Sequence, residues 1–277
     1  MLPAFGLYAV FALAPLGHAA WLSLFRWDGV TPAVWNGLGN YRDLLADPLV
    51  RTAFEHSLVL ILFFSVMPVA VGLLLAATLS RTALRGLTGF RAVLFLPQVI
   101  PTVALAVTWR WIFAPDGPLN QILRAVGLGS LARPWLGDFG WALPSVGIVG
   151  SWVMYGLCMV LFIAGVQKIP QGLYDAARVD GAGPVREFFA ITLPGLRNEL
   201  VVALVLTLIS ALRNFDLVYV MTKGGPGTSS DVPALEVYVR AFEYGAVGSA
   251  AAIGTALALV IFAVTFVLTR LGERRAA

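Results

Sequence analysis

Ionisable side chains are scarce in this chain. Only 12% of its 277 residues are Asp, Glu, Lys or Arg, about half the share found in soluble domains. There are two histidines, His18 and His56, and one cysteine, Cys158. So little charge excludes an ordinary soluble domain. One cysteine excludes an intramolecular disulfide framework and a cysteine-based metal site, so Cys158 reads as a small core residue. The histidines belong to no His-Glu-x-x-His pair and flank no nucleophile. The glycines of Lys223-Gly224-Gly225-Pro226-Gly227 are not followed by Gly-Lys-Ser/Thr, which excludes a phosphate loop. No catalytic residue and no metal ligand are expected.

Apolar residues are abundant: 59% of the chain is hydrophobic and the mean hydropathy is +0.84. A chain of this length accommodates about six apolar helices of roughly 20 residues each. The expected fold is an all-α membrane protein, a six-transmembrane-helix bundle forming one domain. Its spans fall at about 4–25, 57–79, 92–113, 142–165, 199–221 and 248–268. The first reads as a retained span, being longer than a signal-peptide core and lacking a basic leader. Between spans one and two, a turn at Gly37–Tyr41 precedes an expected short amphipathic helix through Leu44, Leu45 and Leu49.

Polar residues inside the spans mark their irregularities. Pro97, Gln98 and Pro101 in the third predict interrupted backbone hydrogen bonds that neighbours or water must satisfy. In the outer half of the fifth lie Arg213, Asn214 and Asp216, costly there unless paired or facing an aqueous cavity. Arg213 and Asp216 are three apart and suited to pairing with each other; the other reading is that Asn214 and Asp216 line a substrate path. In the sixth, Gly248, Ala252 and Ala256 form a face for close packing.

An inside N-terminus puts Arg81, Arg85 and Arg91, the segment 167–198 and the C-terminal arginines on one side. That side holds ten of the nineteen Lys and Arg, but five of the fifteen acids against nine in the outer loops. Both termini are therefore expected in the cytoplasm. The net charge of +4 reports this topology, and no nucleic acid partner is expected.

The segment 167–198 is a polar island between spans. A helical run ends at Gly181, suited to a C-terminal cap, and Pro184 suits the first position of a second helix. On that helix Val185, Phe188, Phe189 and Thr192 recur at i, i+3, i+4 and i+7, a stripe that fits either the membrane surface or a groove on another protein.

The order Asp175-Ala176-Ala177, three residues, Gly181, nine residues, Ile191, one residue, Leu193-Pro194 resembles the coupling loop of permease subunits in bacterial ATP-binding-cassette importers. Asp175 replaces the usual Glu, keeping the charge with one methylene less. Other stretches resemble the carbohydrate permeases of that family: Gly37-Leu38-Gly39-Asn40-Tyr41, Leu96-Pro97 to Ile100-Pro101, Gly117 to Leu119-Asn120, and Phe215-Asp216 through Gly224-Gly225-Pro226-Gly227 to Val237-Tyr238 and Ala241-Phe242.

The resemblance implies the type I importer permease fold and a non-catalytic subunit that forms half of a sugar pathway. It implies a second homologous permease chain, a cytoplasmic cassette ATPase dimer that holds ATP and Mg, an extracytoplasmic sugar-binding protein, and a bacterial cell membrane with its lipid. This chain itself would bind no cofactor. ATPase coupling would fall to Asp175, Ala176, Ala177, Asp180, Gly181, Ala182, Phe188, Ile191, Leu193 and Pro194. A sugar needs hydrogen-bonding and aromatic groups, for which Ser151, Trp152, Tyr155, Asn214, Asp216 and Tyr219 are candidates, Trp152 and Tyr155 being spaced to face one way. The alternative is the same architecture carrying glycerol phosphate or a polyamine, although an anionic cargo should need several inward basic residues and only Arg213 is available, Arg110 marking the outer end of the third span. A secondary transporter would call for inverted repeats and acid relays, and an intramembrane enzyme has no supporting motif.

Overall fold

The computed structural model describes residues 2–79 and 86–273; Arg81, Arg85, Arg274 and Arg275 of the charge argument lie outside the described residues. The chain is helical almost throughout. In order come α1 (Pro3–Leu22), α2 (Gly39–Ala46), α3 (Pro48–Leu79), α4 (Leu87–Val99), α5 (Thr102–Ile112), α6 (Pro118–Ala125) and α7 (Ala142–Val166). They are followed by α8 (Gln171–Val179), α9 (Pro184–Gly195), α10 (Arg197–Leu212), α11 (Asp216–Met221), α12 (Pro233–Tyr238) and α13 (Val247–Glu273). A two-stranded antiparallel ribbon, β1 (Phe25–Arg26) with β2 (Val34–Trp35), follows α1.

Four of these helices are long and apolar enough to cross a membrane, and there are six if each bent pair counts as one span. The bent pairs are α4 with α5, at 93°, and α9 with α10, at 71°. The first bend follows from Pro101, which has no N–H and holds Ile100 extended. The third expected span is thus two helices at a right angle. The fifth stops at Leu212 and resumes as α11 after Arg213–Phe215.

One expectation needs correcting at α3. Leu49 does not belong to the short helix with Leu44 and Leu45. Asp47 accepts the Leu49 N–H at 2.9 Å, Pro48 takes the first helical position, and the long helix starts there, two turns earlier than its apolar part.

α7 is the centre of the bundle: half of its most apolar window is buried, against none of that of α1. It packs along α3, and glycines set the separation. A Cβ on Gly72 would lie 2.6 Å from the Cys158 Cβ and 2.9 Å from the Met159 backbone nitrogen. One core cluster joins Leu60 and Phe64 of α3, Val146 and Val149 of α7, and Val218 and Met221 of α11. A second joins Val69 and Ala76 to Cys158, Met159, Phe162 and Leu196.

Buried amides clamp the loops after α1 and around α6. Asn40 donates to the carbonyls of Ser23 and Phe25 at 2.7 and 2.8 Å, fixing the exit of α1. Asn120 donates to Pro115 and Arg133 carbonyls and accepts the Trp135 indole N–H at 2.8 Å. Farther along, Arg240 bonds Asp47 at the start of α3 and Glu236 of α12, while the His56 Nδ1 lies 2.8 Å from the Asp231 carbonyl oxygen. Burial and the neighbouring Glu236 push the Asp231 carboxyl up to about 8.

Gly72→Ala is expected to lower stability by about 1–3 kcal/mol through overpacking. Cys158 is fully buried and is the chain's one thiol, so a thiol-reactive dye reads the unfolding; an unchanged melting temperature would exclude a rigid α3–α7 contact at this level. A second expectation concerns pH. The folded pKa of Asp231 lies above its ordinary 3.8, so the folded state binds the extra proton. The stability this confers is full below about pH 4 and is lost as pH rises through about 8. Wild type should melt lower at about pH 9 than at about pH 6, and Asp231→Asn, whose amide oxygen can still accept the Val232 N–H, should reduce that difference. Equal slopes in the two proteins would refute the assignment.

Candidate functional site

α8 and α9 form a corner between the fourth and fifth expected spans. The Ala182 N–H bonds the Ala177 carbonyl at 2.9 Å and the Gly181 N–H bonds that of Arg178 at 3.1 Å, the paired bonds of a Schellman cap. Gly181 supplies the left-handed residue this cap requires, at φ +76. Arg178 of α8 then reaches Glu187 of α9 at 3.3 Å and Asp175 of its own helix at 3.5 Å. The Tyr174 hydroxyl meets that of Thr192 at 3.0 Å. These contacts hold the two helices at a set angle.

What the corner exposes is mixed in polarity. Asp175, Ala176, Asp180, Gly181 and Pro194 are exposed, while Ala177, Ala182, Phe188, Ile191 and Leu193 are half-buried. Val179 is 88% and Val185 71% exposed, with Leu173 on the same helix as Val179. Leu173 and Val179 were not among the expected docking residues, although their i, i+6 spacing with Ala176 between marks a face. The expected stripe on α9 is divided. A π-helical turn over Phe188–Thr192 rotates Thr192 inward, where it is buried, so it leaves the stripe. Val185, Phe188 and Phe189 instead face a groove against Leu73, Leu74 and Ala77 of α3.

A second site lies where the two helix interruptions meet. A cavity of about 230 Å³ is lined by Thr102 at the start of α5, Val153 and Met154 of α7, Ser210 of α10, and Arg213, Asn214 and Asp216 around the second break. Asn214 is 7% exposed and its Nδ2 has no hydrogen-bond partner among the described residues. Arg213 and Asp216 are both exposed and form no ion pair with each other, so the expected self-pairing does not occur.

Of the six expected path residues, only Asn214 and Asp216 come together here. Ser151 donates to the Phe63 carbonyl within a π-helical turn of α3. Trp152 packs edge-on against Trp109 at 5.5 Å. Tyr155 is half-buried away from the lining. Tyr219 stacks on Phe215 at 5.1 Å, its hydroxyl 3.4 Å from that of Tyr238. Thr102 and Ser210 were missed; Thr102 directly follows the breaking Pro101, and Ser210 precedes Asn214 by one helical turn. Among the described residues no group of three or more His, Cys, Asp or Glu is placed to hold a metal.

Comparison with known proteins agrees with this architecture. The family described as binding-protein-dependent transport system inner membrane component matches residues 68–277. The probable ABC transporter permease protein YurN of Bacillus subtilis is 38% identical over 261 residues, 93% of this chain and 89% of its own. The trehalose/maltose transport system permease protein MalF of Thermococcus litoralis is 34% identical over 274 residues, 96% of this chain and 90% of its own. A chain in the crystal structure of a bacterial ABC transporter that imports the acidic polysaccharide alginate has the same fold. It superposes with a TM-score of 0.83 over 99% of this chain and 93% of its own, at 23% identity. A family match over three quarters of the sequence, borne by a multi-pass helical fold, leads to one conclusion: the chain belongs to the binding-protein-dependent transport system inner membrane component family.

Proposed function

We propose that this chain is the membrane subunit of an ATP-driven carbohydrate importer, and that the α8–α9 corner docks in a cleft of a separate cytoplasmic ATPase. The observation that carries the docking is the exposed apolar tip of α8, Val179 at 88% exposure, beside a rigidly capped Gly181. Exposed apolar residues on a corner braced by ion pairs lose little entropy on being buried by a partner. The ATPase dimer holds ATP and Mg and performs hydrolysis. A second homologous permease chain supplies the other half of the pathway, and an extracytoplasmic binding protein delivers the cargo. Both termini and the segment 167–198 face the cytoplasm, in keeping with the basic excess on that side.

Carbohydrate is the favoured cargo because the cavity at the second break offers uncharged donors and acceptors, Asn214, Ser210 and Thr102, beside a single acid and a single base. A neutral polyol exchanges its water bonds for such groups one by one, whereas an isolated charge would need a stronger counter-field. Relatives named as trehalose/maltose and diacetylchitobiose permeases support the same class.

Two outcomes test the reading. Val179→Asp and Gly181→Trp should each retain about tenfold less of the cognate ATPase in a pull-down of the assembled complex, while membrane levels of the chain stay unchanged. Retention equal to wild type would sink the docking assignment. Asn214→Leu removes a buried amide whose nitrogen has no partner among the described residues, so stability should hold or rise while sugar uptake falls by about tenfold. A stability loss with normal uptake would make Asn214 a structural residue.

A further inference from the structure

Another cavity, of about 630 Å³, opens along α8, from Gln171 in its first turn to Arg178 in its last. Its lining includes Arg91 of α4, Gln167 and Lys168 in the turn after α7, and Gln171, Tyr174 and Arg178 of α8. Three cations therefore approach one space from three separate segments. The acids that meet two of them, Glu199 at 2.8 Å from Lys168, and Asp175 and Glu187 beside Arg178, are absent from the lining. Unused donors remain. Lys168 leaves 73% of its side chain exposed and bonds one carboxylate oxygen. Arg178 engages its partners through Nε and one terminal nitrogen, leaving the second terminal nitrogen without a bond among the described residues. Arg91 donates to the Leu79 carbonyl at 2.8 Å, while its buried Nε has no partner among the described residues.

We propose that this cavity binds a phosphate group. Guanidinium and ammonium donors converging from three directions suit a tetrahedral oxyanion better than a planar carboxylate. The volume lies within the range of small-ligand sites. Arg91 stands near the start of a membrane helix and Lys168 just past the end of another, the depth at which lipid phosphates lie, where basic pockets between helices take anionic headgroups. This placement rests on the orientation proposed above, with the α8–α9 corner on the cytoplasmic side. The phosphate belongs either to an anionic lipid of the inner leaflet or to a soluble phosphate. In either case it bridges α4, α7 and α8, and so bears on the root of the docking corner.

The test uses the full-length chain in detergent. Native mass spectrometry titrates phosphatidylglycerol against phosphatidylcholine, and thermal melts compare inorganic phosphate with chloride at equal ionic strength. Two variants are compared with wild type, Arg91→Gln and Gln171→Glu. Gln171 belongs to none of the ion pairs, its amide donating only to Asp175 at a long 3.4 Å, and an acid in the first turn of a helix is tolerated, so Gln171→Glu decides the matter if Arg91→Gln folds poorly. Preference for phosphatidylglycerol that weakens by about fivefold in Gln171→Glu assigns a lipid headgroup. Stabilisation by inorganic phosphate that Gln171→Glu abolishes, without lipid preference, assigns a soluble ligand, and both effects together assign one site open to either. If Gln171→Glu leaves the lipid preference and the phosphate effect at wild-type values, or wild type shows neither, the proposal is overturned. ATPase capture is a separate readout, so failure here leaves the docking assignment standing, and failure there leaves this site standing.

Discussion

In hydrocarbon every backbone N–H and C=O must find its partner within the protein or in enclosed water, and this constraint orders the whole chain. The places where helices break are therefore few, and each is compensated differently. At the α4–α5 bend Pro101 has no N–H to satisfy, and its carbonyl is taken up by Leu105 at 3.1 Å. At the α9–α10 bend the bonds continue through the corner, Leu196 N–H to Thr192 and Leu200 N–H to Leu196. The 213–215 interruption is less complete: the Asn214 N–H reaches the Ala211 carbonyl only at 3.4 Å, and its side-chain amide nitrogen is buried without a partner among the described residues. An unsatisfied amide at that depth costs about 1–3 kcal/mol. That nitrogen is an open donor in the wall of the cavity.

The α8–α9 corner meets the same constraint in another way. Its helices are short, so most of their terminal groups lie at an end, and caps rather than packing satisfy them. The Schellman bonds at Gly181 close α8, and Pro184 opens α9 without a donor to lose. The outer loops use side-chain amides for the same purpose. Asn40 and Asn120 each satisfy carbonyls of turns that have no regular partner.

How legible each feature was follows from its physics. Gly181 could be read directly, because few residues but glycine fit φ +76 after a helix. The α4–α5 break could be read from Pro101, since proline dictates its neighbour's backbone as well as its own. The right angle could not, because it depends on what α5 packs against. At 213–215 the polar residues announced an unusual depth but not an interruption, for no proline or glycine marks it. The rotation of α7 was illegible for a different reason. That helix is apolar on every side, so no face differs from another in pattern, and the expectation that Trp152 and Tyr155 face the cargo had nothing to settle it. The structure turns Val153 and Met154 to the cavity and Trp152 to Trp109. Likewise the stripe on α9 assumed a regular 3.6-residue period, which the π-helical turn at Phe188–Thr192 does not keep.

The stiffness of the corner decides how far a push on it travels, and the two ion pairs of Arg178 do not contribute equally. Asp175 is well exposed, and a pair of that kind is worth about 0–1 kcal/mol at most. Glu187 is 3% exposed, so loss of Arg178 would strip a partner from a buried carboxylate, a far larger penalty. The angle between α8 and α9 is thus held from the α9 side. α9 runs into α10 with only Leu196 between them, and Leu196 is fully buried against Phe162 and Cys158 of the central helix. Neither helix can tilt without shifting that contact, because close-packed side chains do not compress. α10 has 16 residues, a rise of about 24 Å, and ends at Leu212, two residues before Asn214. From Pro184 to Leu212 the helix bonds run on through the bend at Leu196, and the next weak link is the interruption beside the cavity, where the Asn214 N–H reaches the Ala211 carbonyl at 3.4 Å.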